Sequence, residues 1–208
     1  MDEAQLLKFI AFTQSTLGEP FPVLLGFVVG LWVVHLLQVI VGRGQWVQWG
    51  IQPRQGRGLW GILWAPCLHV NWSHLQHNTV PLLLLGSLVM VQVGNYFYGV
   101  TVLAWAIGGL GVWIFGEEGV HLGASSLIWG YCGFLLPYGL VVARTPLGIA
   151  VTLGVLVCYG SILVMGLMFR QEGGGISWQG HQFGFAGGWL AARFMADIQG
   201  WLALWSWG

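Results

Sequence analysis

Apolar residues gather into six stretches along this chain, near 21–41, 74–93, 96–115, 124–143, 146–168 and 180–196. A bilayer core roughly 30 Å thick takes about 20 apolar residues of helix to cross. The first five stretches have that length, and the sixth is short and rich in glycine. The pattern therefore predicts an all-α, polytopic membrane protein of six transmembrane helices. Most connections are tight: "GNY" at 94–96, and "RTP" at 144–146, where Pro146 suits the first turn of a new helix. Residues 42–72 are different, mixing glycine, proline and arginine with interspersed tryptophans. That segment is too polar to span and too apolar for a free linker, so it is expected to be an ordered first loop lying partly in the interface. Ahead of the membrane domain, 21–198, stands an N-terminal segment, 1–20. Its residues 4–12 read as a short interfacial helix, since Leu6, Leu7, Phe9 and Ile10 cluster on one side. A short tail, 199–208, follows the domain. The acidic "MDE" start does not look like a cleaved signal peptide.

Composition changes the picture only by making it firmer. Apolar residues are 56% of the chain and charged ones 7%, with mean hydropathy +0.74. A surface so poor in charge is solvated by membrane lipids rather than water. Zero net charge gives no footprint for a nucleic acid, and none is expected as a partner. Fourteen tryptophans and thirty-four glycines fit interfacial belts and closely packed helices. Cys67, Cys132 and Cys158 stand at no metal-like spacing. With a cytoplasmic N-terminus, Lys8, Arg144 and Arg193 fall inside and Arg43, Arg54, Arg57 and Arg170 outside. That balance does not decide the orientation.

Six alternating spans bring the starts of the second, fourth and sixth to one side of the membrane. Those starts hold the suspicious polar residues: His69, His74, His77 and Asn78; Ser125 and Ser126; and His181. Each has an ordinary explanation, because serine caps helices and histidine suits the interface. Their convergence is what points to chemistry. A serine hydroxyl needs a base, which His181 can be, and donors for the oxyanion it creates. His74 and Asn78, four residues apart, share a helical face and can both donate, and the N–H at the start of the fourth span adds another. Gly184 and Gly188 lie beneath His181 on one face, and Gly130 and Gly133 offer the fourth span for close approach. No third member is evident. Asp197 lies sixteen residues beyond His181, about 24 Å along a helix, and Glu117 and Glu118 sit in a loop and look solvated. A Ser-His dyad is the expectation. A zinc site of His69, His74, His77 and His181 is the competing chemistry, though no HExxH is present.

These residues resemble the rhomboid intramembrane serine proteases from about Trp60 to Ala192. Gly123-Ala124-Ser125-Ser126 is similar to the family's Gly-x-Ser-Gly, His74 to Asn78 to its His-x-x-x-Asn, and His181 to Gly188 to its His-x-x-Gly-x-x-x-Gly. The resemblance implies Ser125 as nucleophile and His181 as general base and acid. His74, Asn78 and the Ser125 backbone N–H would form the oxyanion hole, with no metal or cofactor. Gly123, Gly184 and Gly188 take supporting places and His69 a structural one. Trp129 takes the place where the family often has a tyrosine stacked on the histidine. It also implies cleavage of transmembrane protein substrates in a cell (plasma) membrane, with the site opening to the extracytoplasmic side. Two departures stand out: Ser126 replaces the motif's second glycine, and Trp60-Gly61 replaces a Trp-Arg pair in the first loop. The first feeds an alternative, a catalytically silent protein of the same fold that binds transmembrane partners without cutting them.

Overall fold

The computed structural model describes residues 20–168 and 177–195, together with residues 18 and 197. Most of the N-terminal segment, including its expected helix at 4–12, lies outside the described residues, as do Arg170 and the tail at 199–208. Seven α-helices are described: α1 Pro20–Ile40, α2 Gly56–Trp64, α3 Trp72–Val93, α4 Phe97–Phe115, α5 Ser125–Pro137, α6 Pro146–Met168 and α7 Trp178–Arg193. Among the described residues there is no strand, only an isolated antiparallel bridge between Ile51 and His121.

Four helical stretches are long and apolar enough to cross a membrane: Pro20–Ile40, Trp72–Phe115, Ser125–Ala143 and Pro146–Met168. The second covers 44 residues and contains α3, α4 and the 3-10 turn Gly94–Tyr96 between them. At 16 residues, α7 is shorter.

The helix starts follow their local chemistry. Asn71 caps α3, its side-chain oxygen accepting the His74 N–H at 2.8 Å, and Ser177 caps α7 through the Gly180 N–H at 3.0 Å. Thr145 does the same for α6 through Gly148, at 3.0 Å. The expected fourth span is not one regular helix. It passes from α5 into a π-helical turn, Tyr138–Ala143, just after Pro137. Proline has no N–H to give the ladder, and the pitch widens where that bond is missing. From α6, the Thr152 hydroxyl donates to the Leu135 carbonyl at this point, 2.9 Å away, so a backbone group beside the irregular turn is bonded inside the protein.

The first loop is more structured than a loop. It holds two 3-10 turns, Gln45–Trp49 and Ala65–Cys67, on either side of α2. Leu59, Trp60, Leu63 and Trp64 are exposed along one side of α2, while Gly58 and Gly61 are buried on the other. A Cβ at Gly61 would lie 2.7 Å from the Ile51 nitrogen. The helix therefore rests directly on backbone, which is why no larger side chain occupies that position.

Because the spanning helices are apolar all round, hydropathy cannot tell which face packs inward; small and polar residues do. α5 lies at the centre, fully packed against α3, α4 and α7, with Leu127, Phe134 and Leu135 at 0% exposure. Outward faces are equally apolar, as with Val102, and with Val157 at 85% exposure, the arrangement that a hydrocarbon surround favours. Closest of all is α5 against α7. Gly184 meets the Ser126 carbonyl, Gly188 the Gly130 carbonyl and Gly133 the Phe185 carbonyl, each with no space for a Cβ.

Candidate active site

Ser125 is the first residue of α5, so its position depends on the chain that delivers it. That chain is fixed at two points. His121 and Ile51 exchange backbone hydrogen bonds of 2.9 and 2.8 Å, and the Gly123 N–H donates to the Ala65 carbonyl at 2.7 Å. Gly123 itself has φ +108°, a conformation that glycine adopts without the strain a Cβ brings. It is also crowded: a Cβ there would sit 2.8 Å from His74 Nε2 and 3.5 Å from Asn78 Nδ2. The turn before Ser125 is thus pressed against the two expected donors of α3.

His181 stands in the first turn of α7 and is buried. Its ring lies on the indole of Trp129, with centroids 4.6 Å apart and planes 17° from parallel. Trp129 is one helical turn below Ser125, so α5 supplies both the hydroxyl and the plate under the imidazole. Gly166 of α6 leaves room for the stack, since a Cβ there would be 3.3 Å from His181 Nδ1 and would collide with Trp129.

Ser125, His181, His74, Asn78 and Trp129 all line one cavity of about 760 Å³. It continues down α5 to Cys132, about 10 Å below Ser125 at 1.5 Å per residue. Its far wall is the upper part of α6. Ser126 is absent from this lining. It faces instead a space of about 20 Å³ behind α5, beside Gly108 of α4. Two adjacent serines on a helix diverge by about 100°, and here only the first points into the large cavity.

His69 is fully buried in the loop before α3. Burial first, then the neighbouring His74 and His35, lowers its pKa to about 3, so it is neutral at physiological pH. Its ring centroid is 5.1 Å from that of His74. His77 lines the cavity rim and shares a 3.3 Å hydrogen bond with Ser73. Glu118 is exposed as expected. Glu117 departs from expectation: it is half-buried, and its carbonyl accepts a 2.8 Å hydrogen bond from His121 Nε2. Among the described residues, no three His, Cys, Asp or Glu side chains are grouped to hold a metal ion. The zinc reading of the four histidines therefore finds no ligand set, because His181 is held against Trp129 while His69 packs behind His74.

One buried pair escaped the sequence reading. His35 and Gln38 of α1 are 1% and 2% exposed, and the Gln38 amide donates to the His69 carbonyl at 2.7 Å. The signal was available, since an ionisable residue inside an apolar span is a functional candidate by default.

The Rhomboid domain family model matches residues 56–198. The chain belongs to the rhomboid family. It is 41% identical over 179 residues to uncharacterized protein Rv1337 of Mycobacterium tuberculosis, covering 83% of this chain and 74% of that protein. The same figures hold for uncharacterized protein Mb1372 of Mycobacterium bovis. Similarity to uncharacterized protein ML1171 of Mycobacterium leprae is 37% over 181 residues, with 83% and 70% covered. In this rhomboid both motif departures have a place in the packing. Ser126 turns its side chain away from the large cavity, and Gly61 lies where α2 touches the loop backbone.

Proposed function

We propose that this rhomboid is an intramembrane serine endopeptidase that cuts transmembrane proteins with a Ser125–His181 dyad. The observation that supports this most is the single cavity lined by Ser125, His181, His74 and Asn78. In the proposed reaction His181 takes the proton from Ser125 Oγ as that oxygen bonds to the scissile carbonyl carbon. The tetrahedral oxyanion is held by N–H donors from His74 and Asn78 and by the Ser125 backbone N–H, which the start of α5 leaves unused by the helix ladder. As the C–N bond breaks, His181 returns the proton to the leaving amine. Water, activated by the same imidazole, then hydrolyses the acyl-enzyme.

Among the described residues, the stack on Trp129 orients the imidazole. A substrate helix must unwind to offer a free carbonyl, since helical carbonyls are already bonded and shielded. The full proposal has six membrane spans, with α7 as the sixth, in a plasma membrane, and with the cavity opening on the extracytoplasmic side.

Reconstituted into liposomes with a single-span test substrate, the wild type should cleave and Ser125→Ala should bind the substrate without cleaving it. Cleavage that persists in Ser125→Ala would remove the proposal. Lack of cleavage by the wild type, with binding intact, would favour the silent alternative.

Gly123→Ala offers a further check on the oxyanion side. The new methyl would push the His74 ring aside, and kcat should fall by about tenfold or more. Gly119→Ala is the control, having φ +139° and nothing within 4 Å of its Cβ. It adds backbone strain without the collision and should leave kcat within about twofold of wild type.

A further inference from the structure

Three residues of α1 face one neighbour and take no part in the chemistry proposed above. Trp32, His35 and Gln38 recur at intervals of three, placing them along one edge of the helix. Trp32 Nε1 donates to Thr79 Oγ1 at 3.1 Å. The His35 ring stands edge-on against Trp72, with centroids 4.4 Å apart and planes at 87°. Gln38 Nε2 donates to the His69 carbonyl at 2.7 Å. All three partners lie in the loop before α3 or in its first two turns, the segment that carries His74 and Asn78.

His35 is also the far end of a buried line of imidazoles. Its centroid is 6.5 Å from that of His69, which is 5.1 Å from that of His74 at the cavity wall. His35 and His69 are 1% and 0% exposed, so both imidazoles are wholly enclosed by protein. A leucine at position 35 would fill an apolar span at far lower desolvation cost, so plain adhesion between α1 and α3 does not account for an imidazole there. Its edge-on contacts instead set where Trp72 and His69 stand, and His69 sets the ring of His74.

We propose that His35 is a positioning residue: with Trp32 and Gln38 it fixes the loop of His69, and thereby the angle at which His74 meets the cavity. This rests on the reading of His74 as an oxyanion donor. A purely adhesive seam would act on stability alone, whereas a positioning residue acts on kcat through His74.

The test compares wild type, His35→Leu, His35→Asn, His74→Ala and the His35→Leu/His74→Ala double variant. The full chain in liposomes gives kcat and KM for the test substrate, and thermal unfolding is followed alongside. His35→Leu should lower kcat by about tenfold with KM unchanged and the unfolding midpoint not lowered. His35→Asn, which keeps a polar edge, should recover most of the rate. In the His74→Ala background, His35→Leu should cost nothing further, since the two act through one ring. The inference is overturned if the two losses multiply, or if the His35→Leu loss is matched by a lowered midpoint that His35→Asn shares. A wild type without activity would overturn the protease reading and this inference with it; an active wild type with multiplying losses would overturn this inference alone.

Discussion

His181→Ala is expected to lower kcat by at least about 10⁴-fold, because it removes the proposed base of Ser125. His77, the other cavity histidine outside the proposed constellation, lies exposed at the rim with Ser73 as its partner. It is on the same helix as His74 but one turn further around the mouth. His77→Ala should therefore stay within about threefold of wild type. Steady-state cleavage of the test substrate in liposomes gives both numbers. Comparable losses for the two histidines would mean that the imidazole on Trp129 is not the base, and the dyad would have to be redrawn around the rim.

Gly188→Val is expected to be the most damaging change outside the reacting groups. Its Cβ would lie 2.6 Å from the Gly130 carbonyl carbon and 2.8 Å from the Phe134 nitrogen, with the Gly130 oxygen closer still. These are main-chain atoms of α5, so no side chain can swing aside to make room. Relief comes only from α5 and α7 moving apart, at a cost of about 3 kcal/mol or more. The same movement separates the helix that carries Ser125 from the helix that carries His181. A lowered unfolding midpoint and loss of cleavage should therefore appear together. Gly154→Ala is the matched control: nothing lies within 4 Å of its Cβ, and alanine is the better helix former. It should unfold no earlier than wild type. An unimpaired Gly188→Val protein would show that the tight crossing of α5 and α7 is not what joins the two halves of the site.

Much of this arrangement is legible in the sequence because it depends on length and spacing. Apolar runs locate the long helices to within about two residues, and alternation of spans alone brings Ser125, His181, His74 and Asn78 to one side. Glycines spaced at three and seven from His181 announce the close crossing with α5. What stays hidden is rotation. His35 and Gln38 mark the inner face of α1, but the partners of the Trp32–His35–Gln38 edge emerge only when α3 is set beside it. The bond from Thr152 in the next helix, beside the π-turn that follows Pro137, is one that a local pattern cannot show. In the first loop, α2 owes its position to Gly58 and Gly61 lying on the backbone of residues 50–52, a contact that reads in sequence as mere flexibility. Ser126 departs from the motif's glycine, and its side chain turns towards Gly108 and away from the cavity.

In the proposed reaction Ser125, and not its neighbour, is the nucleophile that His181 activates. The most direct measurement is to react the protein with a fluorophosphonate and locate the adduct by peptide mass spectrometry. A phosphonyl group is expected on Ser125 in the wild type and in Ser126→Ala, and no adduct in Ser125→Ala or His181→Ala. An adduct on Ser126, or one that forms equally well without His181, would contradict it.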